Sequence, residues 1–237
     1  MGRTTVTERD LLPVSTQALR GPLPIDAQGR CTSIAVGTYA NDHHYPGEDW
    51  PLAPKSVRWG GRWSGTPFCI PFDALISDSI PNLVMAEKGF SVSHMANGAT
   101  RLQPLILNLG QVAGLAAAMA VRQGCDLGDL AVEAVQAALI HEPKAPAAVL
   151  PIWDWPHWHP HWVTAQEQGL AQPEHLAAMG CLSGTEASML MPPGMNQAPH
   201  QSHEVGLSGV LTGNLQEGYQ LQTSEGIWPL ILSLIHI

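Results

Sequence analysis

The residues most able to do chemistry lie between Asn82 and Gln123, in NLVMAEKGFSVSHMANGATRLQPLILNLGQVAGLAAAMAVRQ. A short apolar run leads into a loop carrying Ser91, Ser93, His94, Asn97 and Arg101, and the loop leads into a long stretch of small and aliphatic residues. A polar loop between a buried strand and the start of a buried helix suits an anionic or dinucleotide ligand, because the first helical N–H groups are free and the helix dipole favours negative charge there. His94 titrates near neutrality and can serve as an acid or base; ordering the loop is the alternative role. Arg101 either faces a ligand or hydrogen-bonds loop carbonyls. Two more histidine groups stand apart. Asp42, His43 and His44 are consecutive, and His157, His159 and His161 alternate in WDWPHWHPHW. Alternating histidines with Asp154 could bind a metal on an extended strip. The prolines and tryptophans among them argue for a packed aromatic turn instead.

These groups need elements to hold them. Thr5 or Thr7 can cap a short helix with Glu8 and Asp10 in its first turn, and Pro13, Pro22 and Pro24 end regular structure after it. Ser33 to Tyr39 reads as a strand, and Asn41 to Trp63 as a long aromatic loop. Thr66 to Phe72 reads as a strand interrupted at Pro71, with turns following, and Asn82 to Ala86 as another strand. The pattern predicts a helix from Leu105 to about Gln123, apolar on all sides and so buried on several, with Gly124 closing it. Gly110 and Gly114 each cost that helix roughly 1 kcal/mol relative to Ala, which suggests very close approach of backbone or ligand. A second amphipathic helix is expected over Asp129 to His141, with Leu130, Val132, Val135, Ala138 and Leu139 inward. Two short helical pieces should follow in VTAQEQGLAQPEHLAAMGCL. Strands with turns at Glu217-Gly218 and Glu225-Gly226 should close the chain.

The wording of several segments carries a resemblance. SIAVGTYANDHHYPG, TPFCIPFDALI and Gly110-Gln111-Val112-Ala113-Gly114-Leu115-Ala116-Ala117-Ala118 resemble the C-terminal part of a bacterial family of FAD-dependent oxidoreductases, in the two-dinucleotide-binding flavoprotein superfamily. About the first three-fifths of the chain is involved. The resemblance implies an α/β fold (an α+β piece of one): the C-terminal part of a Rossmann-like FAD/NAD(P)-binding domain with substrate-domain strands. It implies FAD as cofactor and a small organic substrate. It makes His94, Arg101 and His43 the candidate catalytic residues, with a substrate-side place for Asp42 or His43. Ala86, Glu87, Ser91, Ser93, Asn97, Arg101, Gly110, Gln111 and Gly114 become candidate flavin contacts. Arg101, just before a helix N-terminus, would stabilise negative charge at the N1–C2=O edge of the reduced ring. Gln111 either reaches the ring or caps a loop. Glu87 departs from the Gly or Asp common at this place, and a carboxylate there would repel a pyrophosphate; it either points away or binds a ribityl hydroxyl, and Lys88 can offset its charge.

Such an enzyme should begin with a strand and G-x-G-x-x-G around its pyrophosphate. The 237 residues contain no such spacing, and WGGRWSG is not a substitute. The expectation is therefore a piece that starts after the nucleotide-binding half, with Met1 internal and the missing half as its partner. Leu232 to Ile237 resembles the translation of a sequencing adapter. The expected organisation is an oxidoreductase part over 1–145, a linker with the aromatic turn and short helices over 146–202, an incomplete β module over 203–231, and adapter read-through over 232–237.

Composition narrows the rest. With 45% hydrophobic and 13% charged residues the chain is globular. A net charge of −9 with 11 Lys and Arg makes nucleic acid or an anionic membrane surface a poor partner. Leu105 to Val121 is short for a membrane span. Cys31, Cys69, Cys125 and Cys181 form no C-x-x-C, so they read as isolated thiols, with a disulfide left open. Iron–sulfur clusters occur in the wider family, and no ligand set for one is visible here. The compartment stays open. A competing class is a carbohydrate-binding module stacking sugars on Trp50, Trp59, Trp63, Trp153, Trp155, Trp158 and Trp162, although such a module has no need of a Gly/Ala-rich helix.

Overall fold

A computed structural model of the chain describes residues 1–13, 18, 20–43, 49, 51, 67–152, 155, 157, 159–178, 180, 182, 209–214 and 218–230. His44, Asp154, Cys181 and the tryptophans at 50, 59, 63, 153 and 158 lie outside them, as does the 232–237 segment. The chain divides into two compact units, Met1–Pro192 and Pro193–Ile237.

The first unit is built on a two-stranded antiparallel sheet of β1 (Ser33–Gly37) and β2 (Phe68–Pro71). Both strands are apolar and buried on both faces, so β-branched and aromatic residues fill them without alternation. Five helices surround the pair: α1 (Glu8–Leu11), α2 (His94–Thr100), α3 (Gln103–Gln123), α4 (Val132–Ile140) and α5 (Trp162–Ala171). Ile34, Phe68, Ile70, Leu75, Met95, Leu109, Leu139, Ile140 and Leu150 are fully buried between them. Each such side chain contributes about 1.5–3 kcal/mol of transfer free energy. Two buried glutamines stand in for missing strand partners. Gln136 Nε2 donates to the carbonyls of Cys31 and Ser33 at 2.8 Å each, fixing α4 to the start of β1. Gln166 Oε1 accepts from the N–H groups of Val149 and Leu150, fixing α5 to the 149–150 segment.

Local chemistry explains the ends. Thr7 caps α1, its N–H donating to the Asp10 carboxylate at 2.7 Å. α3 starts at Gln103, with Pro104 in its first turn, and stops at Gly124 with φ 65°. The expected helix after Asp129 is α4, preceded by a 3₁₀ turn at Leu127–Asp129. Of its expected inward residues, Leu130, Val132, Val135 and Leu139 are buried.

Two expectations need correcting. Asn82 to Ala86 is not a strand. It is an extended segment with one antiparallel bridge, Ile76 to Val84, entered through Asn82 at φ 59°. A strand needs ladder partners along its length, and among the described residues this segment has only that one bridge, its other hydrogen bonds joining the Asn82 side chain to Asp126 and Leu127. The helix α3 is also not enclosed. Leu105, Leu109, Val112, Ala113, Ala116, Met119 and Ala120 are buried, whereas Leu107 is 74% and Val121 83% exposed. By length and composition α3 would suit a membrane crossing; here it lays one face on the core.

The second unit carries a three-stranded antiparallel meander of β3 (Val210–Asn214), β4 (Gly218–Thr223) and β5 (Gly226–Leu230). Gly218 and Gly226, the glycines of the two expected turns, open β4 and β5.

Candidate flavin-side site

The expected polar loop is in large part a helix: Ser93 caps α2, His94 and Asn97 lie in it and Arg101 ends it, and the residues fall into two groups facing different neighbours. Ser91 shares a hydroxyl–hydroxyl hydrogen bond with Thr5 at 2.9 Å. Ser93 is the N-cap of α2: its Oγ accepts from the Ala96 N–H at 3.2 Å and donates to Glu8 Oε2 at 3.1 Å. Both serines thus tie α2 to the N-terminal segment. Glu8 is fully buried, a carboxylate that the sequence reading treated only as a first-turn residue.

His94, Gly98 and Arg101 face the other way. They recur at i, i+4 and i+7, one side of a helix, and the Asn41–His43 segment lies along that side. His43 Nδ1 donates to the His94 carbonyl at 2.8 Å. The two imidazoles stack with centroids 5.1 Å apart. Arg101 Nη2 meets the Asp42 carboxylate at 3.3 Å. A methyl group at position 98 would come within 2.8 Å of Asn41 Oδ1, 2.9 Å of His43 N and 3.0 Å of Asp42 Oδ1. Gly98 is therefore what admits the segment. Asn97 Nδ2 donates to the Lys88 carbonyl at 3.3 Å, holding the loop that precedes α2.

Arg101 is the C-cap residue of α2 and stands two residues before α3. No side chain caps the α3 N-terminus, so its dipole is open to a ligand. A cavity of about 150 Å³ opens here, lined by Val36, Gly37, Tyr39, Ala99, Leu102 and Leu105 among others. Polar atoms are orphaned on the segments that bound it. Asn41 Nδ2 and Oδ1 and Thr100 Oγ1 are buried without a hydrogen-bond partner among the described residues. Such atoms are uncommon in folded proteins and are met by a buried water, a ligand or strain. Asn41 and Gly98 were missed by the sequence reading, which had no signal for their burial.

The remaining candidates scatter. The Ala86 carbonyl would lie 3.6 Å from a methyl group at position 110, an ordinary contact, and nothing lies within 4 Å of one at position 114. The close approach expected at these glycines is not made by this chain's own backbone. Gln111 Nε2 donates to the Ala145 carbonyl at 2.7 Å, which makes it a loop cap. Glu87 is exposed. A second cavity, of about 420 Å³, lies beside Ser91, Met85 and Gly89.

The aromatic turn holds together by ring contacts: Trp155 to His159 at 4.4 Å, Trp155 to His161 at 5.2 Å and His159 to His161 at 5.3 Å. Among the described residues no group of three His, Cys, Asp or Glu is placed to hold a metal ion. Trp162 is buried in the core and offers no stacking face. Cys31, Cys69 and Cys125 are free thiols. Burial raises the Cys31 thiol and pushes Cys69 up to about 12, so neither behaves as a reactive thiolate.

The sequence profile of FAD-dependent oxidoreductases matches residues 1–139. The chain belongs to the FAD-dependent oxidoreductase family. No curated protein and no solved structure matches it.

The residues present fit one side of the cofactor. Arg101, the uncapped α3 N-terminus and the orphaned Asn41 and Thr100 groups suit the polar edge of a flavin ring. The G-x-G spacing of a pyrophosphate-binding turn does not occur in the chain.

Proposed function

We propose that this chain supplies the flavin-ring side of an FAD-dependent oxidoreductase acting on a small organic substrate, and that a dinucleotide-binding part outside these 237 residues holds the pyrophosphate. Bound FAD would supply the two-electron acceptor that side chains lack. Arg101 and the α3 N-terminus would favour negative charge on the ring's pyrimidine edge. His43 and His94 would lie on the substrate side, with Asp42 orienting Arg101. Ala86, Ser91, Ser93 and Asn97 would shape the loop that follows the ring, mostly through the α2 contacts they make here.

The observation that carries this reading is the exposed apolar face of α3. Leu107, Gly114, Ala118 and Val121 are exposed on one side of an otherwise core-packed helix, in a chain whose family binds FAD and whose sequence lacks the phosphate cradle. An apolar strip of this kind marks a contact surface. On its own the chain would then be inactive.

The test is the coding sequence immediately upstream. An in-frame strand followed by G-x-G-x-x-G, and a longer polypeptide that purifies yellow with FAD, are the expected results. A longer polypeptide that purifies without flavin and binds none on reconstitution would overturn the reading.

A further inference from the structure

We propose that the cavity between α4, α5 and the turn at residues 26–30 binds a small organic cation, a primary ammonium group carried on a short apolar chain. The cavity has a volume of about 410 Å³ and is lined by Arg30, Glu133, Gln136, Ile140, Glu167 and Leu170 among others, a size suited to a small molecule. None of these residues is a flavin-side candidate, and α5 lies beyond the residues 1–139 that the family profile matches.

Gln136 marks the cavity as a site. It is 1% exposed, and its Nε2 donates to the carbonyls of Cys31 and Ser33 at 2.8 Å each. Carbonyls only accept, so the amide nitrogen must face them and Oε1 is the other end of the group. That oxygen accepts no hydrogen bond among the described residues. A buried acceptor left open on a cavity wall calls for a donor. The charged lining calls for the same. Arg30 is already committed, its guanidinium meeting Asp26 at 2.8 Å and Glu133 Oε1 at 2.9 Å. Glu167 Oε1 pairs with the His141 imidazole at 2.8 Å. The second carboxylate oxygens of Glu133 and Glu167 have no partner among the described residues. The open polar groups of the wall are therefore acceptors, and carboxylates outnumber cations around them. An ammonium group brings both N–H donors and positive charge. An anion would be repelled, and a cation without N–H would leave Gln136 Oε1 unpaired. Ile140, 1% exposed, and the half-buried Leu170 give an apolar chain its wall.

The test is a ¹H–¹⁵N titration of the 237-residue chain at neutral pH with n-butylammonium, read at the Gln136 side-chain amide. The expected result is a saturable shift of that resonance, with tetramethylammonium and butanoate at the same ionic strength leaving it in place. Glu167 is half exposed, so Glu167→Gln should weaken butylammonium about three- to fivefold, the worth of an exposed ion pair. Glu133→Gln should do the same, and it serves if Glu167→Gln does not fold. No shift at Gln136 overturns the proposal. So does a shift that tetramethylammonium or butanoate matches, and so does an affinity indifferent to both substitutions.

Discussion

At the residue scale, Asn41 carries the most information per atom. Its carboxamide is 2% exposed with both polar atoms unpartnered. Leaving a buried donor or acceptor unpaired costs about 1–3 kcal/mol, whereas an apolar group of similar shape avoids that cost. Asn41→Leu should therefore raise the melting temperature of the chain while weakening riboflavin binding. Stabilisation with unchanged binding would make Asn41 a strained packing residue and nothing more. Cys69 gives a pH prediction. Burial pushes its thiol up to about 12, so between the unfolded value of about 8.5 and 12 the unfolded chain binds fewer protons than the folded one. Stability should then fall as pH rises through that window. Denaturation midpoints across alkaline pH should show a shallower decline in Cys69→Ala, and identical slopes would contradict the burial of this thiol.

At the element scale, α3 shows both what was legible and what was not. Its existence, its stop at Gly124 and the inward residues of α4 follow from periodicity and from the glycine's left-handed cap. Its exposure does not. Composition counts Leu107 and Val121 as apolar wherever they face, and only the packing shows that this side has no cover among the described residues. The Asn82–Ala86 segment failed for the complementary reason: a strand is defined by its partners, and β-propensity says nothing about whether they are present. Motif wording nominated Arg101, His43 and His94 as site candidates. It could not tell that Gln111 turns to the Ala145 carbonyl, or that Ser91 and Ser93 turn to Thr5 and Glu8, because those choices depend on which segments meet. Gly114 tests the open face. Nothing lies within 4 Å of a methyl group there, so Gly114→Ala should stabilise the isolated chain by roughly 0.5–1 kcal/mol through helix propensity. In a polypeptide that includes a dinucleotide-binding part and binds FAD, the same change should weaken FAD retention. Destabilisation of the isolated chain would show that the face is already covered.

At the scale of the molecule, the proposed site would take the flavin ring and leave the pyrophosphate to a part outside these residues, since the 237 residues hold no G-x-G-x-x-G spacing. The acidic balance, with a net charge of −9, gives the rest of the surface no general attraction for a pyrophosphate. Binding should then depend on the ring alone. The most direct measurement is a pair of fluorescence titrations of the 237-residue chain, one with riboflavin and one with FAD. The account predicts saturable quenching of riboflavin and an affinity for FAD no tighter than for riboflavin, because the ADP portion finds no partner. Absence of riboflavin binding, or FAD bound far more tightly than riboflavin, would contradict it.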